Sequence, residues 1–199
     1  MLGKMALLEA IASTNRGILA SGQDQETIAS LATQLEGHNP HPEPFTAKEL
    51  LNGIWQLLYT TSDELLGIDR FPLYKLGQIY QCVYLDEARI YNIAEVVGLS
   101  PLNGLVSVGA KFEAVSTKRV NVGFERGVFG LQSLLQYEDP QSFIQKLQSQ
   151  DKFPFWQGID FRINSDRQSG WLEVTYLDED MRIGRGNQGS LFVLRKVKA

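Results

Sequence analysis

Asp178, Asp180, Arg182 and Arg185 form one polar cluster in which residue type and spacing could do chemistry. A guanidinium holds a carboxylate, a phosphate or a polarised carbonyl oxygen through a planar fork of donors. Residues two apart on a strand share a face, so Asp178, Asp180 and Arg182 align if the chain stays extended through Glu179. Arg185 then points the other way unless Gly184 makes a bulge. Two roles are open. The cluster anchors the polar head of a ligand, or one arginine stacks on Trp55, pairs with a nearby aspartate and closes the end of the fold.

Other chemistries find little support. No serine sits in Gly-x-Ser-x-Gly, and neither His38 nor His41 has an evident Ser or Cys partner; both histidines lie in a proline-rich loop. Gly184-Arg185-Gly186-Asn187-Gln188-Gly189 has the Gly-x-Gly-x-x-Gly spacing, but it falls between two strands rather than between a strand and a helix, so it is rejected as a nucleotide site. Cys82 is the single cysteine, which excludes an internal disulfide framework or Cys-based metal site and fits a reducing compartment. No metal, no cofactor and no catalytic set is expected. Binding without turnover is the expectation.

The 199 residues fit one domain with a small helical appendage, and a formal charge of −4 argues against nucleic acid as a partner. The charge is uneven. From Met181 onward there are Arg182, Arg185, Arg195, Lys196 and Lys198 and no acid. Such an end could rest on an anionic membrane, each nearby charge adding roughly 1 kcal/mol, or it is a solvated terminus. The longest uncharged run, Val96 to Ala110, is broken by Pro101, Asn103 and glycines, and it is too short to span a bilayer. The N-terminus has no signal-peptide pattern and no Ser- and Arg-rich transit character.

The elements that must position the cluster follow from periodicity. Leu7, Leu8 and Ile11 lie on one helical face, and Ile28, Leu31, Ala32 and Leu35 on another, with Asp24 as N-cap of the second helix. Two such short helices need a surface to pack on. They are expected as a hairpin, residues 1–46, against a β domain of residues 47–199. Thr46-Ala47-Lys48-Glu49 reads as a capping box for a last helical turn. At Gly53 the period changes, and about nine short strands with tight turns follow, which implies a closed or nearly closed antiparallel barrel. One strand is expected over Arg119–Arg126. Phe143, Ile144 and Leu147 after Pro140 imply a helix near a barrel end.

Gly53-Ile54-Trp55 resembles the Gly-x-Trp that opens the first strand of lipocalin-like barrels, where the Trp seals the floor. Over most of its length the chain resembles the plastid-lipid-associated protein (fibrillin) family of plants and cyanobacteria. The match rests on Arg16-Gly17, on Leu35-Glu36 with Asn39-Pro40, and on Gly53-Ile54-Trp55-Gln56-Leu57-Leu58-Tyr59-Thr60-Thr61-Ser62. The most specific part is Asp178-Glu179-Asp180-Met181-Arg182-Ile183-Gly184-Arg185-Gly186, followed by Leu191-Phe192-Val193-Leu194. The resemblance implies a mainly β, lipocalin-like fold. It also implies peripheral association with thylakoids or plastoglobules and non-enzymatic handling of prenylquinones, tocopherols or carotenoids. In some plant relatives it implies docking on a prenyl diphosphate synthase. A cyanobacterial or processed plant form is expected. The family supplies no catalytic residues.

Combining the two readings, the candidate ligand-binding residues are Arg182, Arg185 and Asp178 for a polar head, with Trp55, Tyr59 and Trp171 among the aromatics that would surround an apolar tail. The competing reading is a filled barrel acting as an interaction module on an enzyme or photosynthetic assembly. A lyase acting on a bound chromophore is a third. A patch at Phe153, Phe155 and Trp156, beside Lys152, either dips into a bilayer interface or lies as a lid on the barrel mouth.

Overall fold

The computed structural model describes residues 2–62, 75–98, 102–164 and 169–198. Two helices, α1 (Leu2–Ala12) and α2 (Gly22–Glu36), come first. The N-cap of α2 is Ser21, not the expected Asp24. The Ser21 hydroxyl accepts from the Asp24 amide, and the Asp24 carboxylate accepts from the Ser21 amide, so Asp24 is the return arm of a capping box. Between the helices Asn15, Arg16 and Gly17 all have positive φ. This sharp turn lays Arg16 beside Tyr59, where the Thr60 amide donates to the Arg16 carbonyl at 3.0 Å.

The short helix α3 (Lys48–Leu51) is capped differently from the expectation. Its N-cap is Ala47, which gives no side-chain bond, because the Thr46 hydroxyl already donates to the Glu43 carbonyl at 2.7 Å. Gly53 then turns the chain into the sheet with φ +116, a conformation that penalises a side chain.

Nine strands follow: β1 (Gly53–Thr60), β2 (Lys75–Tyr84), β3 (Arg89–Val97), β4 (Gly104–Ala114), β5 (Arg119–Leu131), β6 (Ile159–Arg162), β7 (Ser169–Leu177), β8 (Met181–Gly186) and β9 (Leu191–Lys196). They pair antiparallel in the order β4-β3-β2-β1-β9-β8-β7-β5, and β5 pairs back to β4. Eight strands therefore close a barrel, with β6 added outside the ring.

β5 makes this possible. Its first part, Arg119 to Gly123, pairs with β7; its later part, Arg126 to Phe129, pairs with β6. The switch falls at a bulge, since Gly109 of β4 opposes Arg126 while Ala110 opposes Phe124, leaving Glu125 as the extra residue. The strand runs five residues past the expected end at Arg126. Gly127 and Gly130 allow this, because a Cβ at Gly127 would lie 2.5 Å from the Phe161 ring and one at Gly130 2.8 Å from the Gln157 carbonyl.

Two helices interrupt between β5 and β6: α4 (Gln132–Leu135) and α5 (Pro140–Ser149), the latter capped by Asp139 and started by proline. Alternation along the strands separates the apolar side chains into three clusters. Trp55, Leu57, Ile79, Val83, Val174 and Leu194 fill the lumen. Outside, Tyr59, Ile183 and Val193 are covered by Leu7, Ile11, Ile28 and Ala32 of α1 and α2. On the other flank, near the barrel end, Phe143, Ile144 and Leu147 of α5 cover Tyr91, Ile93, Leu105 and Val128.

Candidate functional site

The barrel floor is built around Trp55. Its ring is fully buried and its Nε1 donates to the Leu51 carbonyl at 2.9 Å, so the last turn of α3 fixes its orientation. Two cations approach the ring. The Arg182 guanidinium carbon lies 4.9 Å and Lys196 Nζ 4.7 Å from its centroid. Arg182 is only 2 % exposed, and Nη2 donates to Gln81 Oε1. Lys196 Nζ donates to the Leu50 carbonyl at 2.6 Å and to the Asn52 carbonyl.

Neither cation forms a salt bridge among the described residues. Burial therefore pulls Arg182 down to about 9. Burial, and then repulsion from Arg182, pulls Lys196 down to about 8. The floor holds two positive charges by ring faces, one amide and backbone carbonyls. It has little free space. The pocket that Arg182 lines with Phe45, Val83, Phe112 and Leu172 measures about 20 Å³, room for about one water and far below the roughly 300 Å³ of a small-molecule site.

The other sequence candidates lie elsewhere. Asp178 sits in the β7–β8 turn, where its carboxylate accepts from Lys4 Nζ at 2.8 Å, Tyr176 Oη at 2.7 Å and the Met181 amide at 2.7 Å. Burial opposes ionisation there, but the hydrogen bonds from Lys4 and Tyr176 outweigh it and hold the carboxyl well below the usual range. Lys4 also bonds Asp180, so α1 is tied to this turn. Arg185 grips Glu36 of α2 with two bonds of 2.9 Å. Tyr59 is buried beneath the same helices, its hydroxyl without a partner among the described residues. Trp171 lies half-buried under Arg119, whose guanidinium is 4.3 Å from its centroid. The structure brings Trp55 and Arg182 together in the lumen. It assigns Asp178 and Arg185 to the attachment of the helical hairpin.

The segment after α5 also divides. Phe153 is buried, stacked on Phe143 at 6.0 Å, and its amide donates to Asp160 at 2.7 Å, so it cannot enter a bilayer as the sequence suggested. Phe155 and Trp156 are 89 % and 63 % exposed and meet edge to face at 5.3 Å. Next to them on β6, Ile159 is 63 % exposed, and its cross-strand partner Phe129 on β5 is 51 % exposed. This is an exposed aromatic face, larger than a scatter of single residues. Phe129 was legible only as part of an apolar segment, because its exposure depends on β5 leaving the ring.

A second and much larger space lies outside the barrel, between α5, β6 and the outward faces of β3, β4 and β5, with a volume of about 690 Å³. It combines residues from five elements, and spacing along the chain gave no sign of it. Cys82 is buried on this flank, and burial pushes its thiol up to about 12, which leaves it unreactive.

The PAP_fibrillin family model matches residues 1–195. The chain is 35 % identical to the probable plastid-lipid-associated protein 2 of Arabidopsis thaliana, over 97 % of this chain and 70 % of that protein. It is 35 % identical to a light-induced chloroplastic protein of Solanum tuberosum, over 97 % and 66 %. It is 36 % identical to a chromoplast-specific carotenoid-associated protein of Cucumis sativus, over 97 % and 67 %. The chain thus spans about two thirds of the length of these relatives. No solved structure matches it.

Proposed function

The chain belongs to the PAP_fibrillin family, and from that premise we propose that it is a non-enzymatic protein that associates peripherally with thylakoid or lipid-droplet surfaces. The observation that carries this reading is the aromatic face of Phe155, Trp156, Ile159 and Phe129. Exposed Trp and Phe side chains favour the boundary between head groups and acyl chains, where one side is apolar and the other wet. Lys152 stands at the base of the same segment. The names of the relatives in Arabidopsis thaliana and Cucumis sativus, one plastid-lipid-associated and one carotenoid-associated, agree in kind.

No described helix is long and apolar enough to cross a membrane. The outward faces of the barrel strands are covered by α1 and α2 on one flank and by α5 on the other, so the barrel presents helices rather than a lipid-facing band. A prenylquinone, tocopherol or carotenoid would meet the protein at this outer surface. The filled lumen supports that placement and also favours the second reading, an interaction module with a solid barrel. No feature of the described surface singles out a prenyl diphosphate synthase.

Vesicle flotation tests the first reading. Phe155→Ser with Trp156→Ser should abolish flotation on phosphatidylcholine vesicles and leave the melting temperature unchanged, since neither side chain is packed in a core. Flotation equal to the parent protein would refute a lipid role for this face and leave the interaction module as the better account.

A further inference from the structure

The groove outside the barrel has the features of a binding site that the family's lipid association does not by itself supply. Its floor is β4. Ser107 there is 2 % exposed, and its hydroxyl has no hydrogen-bond partner among the described residues. A buried hydroxyl without a partner carries a desolvation cost that a ligand atom can remove. Next to it on the groove side, Gly109 lies flat against Tyr91, since a Cβ there would be 3.4 Å from the Tyr91 ring. Tyr91 therefore packs over Gly109, and Ser107 lies beside them in the lining of the groove.

The walls are charged and mostly committed to one another. Arg126 holds Asp160 with bonds of 3.1 and 2.7 Å and also donates to the Leu147 and Gln150 carbonyls, which locks α5 to β6. Burial opposes ionisation of Asp160, but Arg126 and the Phe153 amide hold its carboxyl below the usual range. Glu125 is shared by Arg89 at 3.2 Å and Lys111 at 3.0 Å. The lining contains five basic and three acidic side chains, an excess of two positive charges. Lys152 and Arg162 make no ion pair among the described residues, and they stand exposed with the third acid, Asp151. One ammonium and one guanidinium are thus left over in the lining of the groove that also holds the buried Ser107 hydroxyl.

We propose that this groove binds the anionic head group of a ligand, a phosphate or sulfate, with Lys152 and Arg162 neutralising its charge and the Ser107 hydroxyl donating to one of its oxygens. The volume of about 690 Å³ exceeds what an inorganic ion needs, and Phe161, Val128 and Leu147 line its apolar part. The ligand is then an amphiphile whose apolar portion lies along these side chains. The same chemistry belongs to an anionic lipid at a membrane surface and to a soluble phosphorylated molecule.

The test uses the full chain labelled with nitrogen-15. Inorganic phosphate is titrated while the amide signals of Ser107, Gly109 and Arg162 are followed. Flotation is measured in parallel on phosphatidylcholine vesicles with and without phosphatidylglycerol. Saturable shifts at these amides are expected, weakened several-fold by Ser107→Ala and lost in Arg162→Glu with Lys152→Glu. Neither change removes a member of the committed ion pairs, but Lys152 helps to hold the Asp160 carboxyl down, so a small fall in melting temperature is expected and is measured alongside. A lipid source is indicated if phosphatidylglycerol strengthens flotation by about tenfold or more and the charge-reversed variant loses that gain, the size expected from altering two charges near an anionic surface. A soluble source is indicated if phosphate shifts the amides while phosphatidylglycerol adds nothing. Flotation on neutral vesicles should be unchanged by the groove variants, which separates this test from that of the aromatic face. The proposal is overturned if no saturable shift appears and phosphatidylglycerol adds nothing. It is also overturned if shifts or flotation gain persist undiminished after charge reversal; the Ser107 hydroxyl is then met by water.

Discussion

Arg182 inside the barrel and Arg126 outside it sit on strands of one sheet and are stabilised in opposite ways. Arg126 has a carboxylate partner in bidentate geometry and two backbone carbonyls, and the groove around it keeps further cations in reserve. Arg182 has a ring face, one amide oxygen and no carboxylate among the described residues, and the space beside it has room for about one water. The lumen is thus a packed core that happens to contain a cation. The groove is a preformed space whose charges are arranged around a void. In a barrel of eight strands either outcome is geometrically open, because the interior is only just wide enough for its own side chains. Here the bulge at Glu125 moves the available space outside the ring.

If the lumen is core, removing its largest member should give the largest effect. Trp55→Ala is expected to cost ~3–5 kcal/mol, enough to leave little folded protein. Chemical denaturation followed by circular dichroism measures it. A loss below about 1 kcal/mol would mean that the floor can collapse or was never tightly packed, and the contrast with the groove would weaken.

The next test concerns the cation itself. Arg182→Met keeps much of the volume and removes a buried charge that has no carboxylate partner. The expected change lies within about 1.5 kcal/mol of the parent and could be stabilising. The pH dependence sharpens this. Lys196 titrates near about 8 in the folded protein against 10.5 when free. Between those values the unfolded chain binds more protons, so stability should rise with pH across that window. Burial is the larger cause of the depression and Arg182 the smaller. Arg182→Met should therefore reduce the rise without removing it. A large loss of stability, with the pH dependence unchanged, would show that the guanidinium is needed where it is and that the lumen is not an ordinary core.

How much of this was legible in the sequence depends on whether a feature is local. Gly53 and Trp55 stand two positions apart at one strand start, and their turn and floor roles follow from backbone freedom and apolar area. A closed or nearly closed barrel was legible from the run of short strands and tight turns after Gly53. The spacing put Arg182 and Arg185 on opposite faces unless Gly184 bulged, and β8 runs through Gly184 without a register shift; Asp178 and Asp180 do not align with Arg182, because the chain turns there instead of staying extended. Their separate duties were not legible, because the partners Lys4 and Glu36 lie 174 and 149 residues away in sequence from Asp178 and Arg185. The strand expected to stop at Arg126 runs on through Gly127 and Gly130, where Phe161 and Gln157 come close to the backbone. The groove depends on α5, which the spacing of Phe143, Ile144 and Leu147 did announce, but also on that continuation and on a bulge, neither of which leaves a periodic signal. Ser107 is one serine among many until its hydroxyl is seen to lack a partner.

The smallest effect is expected at the attachment of the helical hairpin, and it decides whether Arg185 belongs to the lumen or to the outside. Its guanidinium holds Glu36, with side chains 33 % and 15 % exposed, so the pair is only partly screened from water. The pKa of Arg185 is raised chiefly by its hydrogen bond to Glu36, so the charge is fixed in place by α2. Arg185→Ala removes this clasp but leaves the Lys4 link to Asp178 and the apolar contacts of Leu7, Ile11 and Ile28. The cost should be about 0.5–1 kcal/mol. It should appear as faster hydrogen exchange in α2, while the lumen amides around Trp55 and the groove amides around Ser107 keep their protection. Acid should act on the other clasp. Asp178 contributes stability that is fully present above the ordinary value of 3.8 and is lost as pH falls toward its depressed folded value, so α1 should loosen below about pH 4. If Arg185→Ala instead loosens the barrel floor, or weakens a bound amphiphile while α2 stays protected, Arg185 acts with Arg182, and the division between a packed inside and a latching outside does not hold.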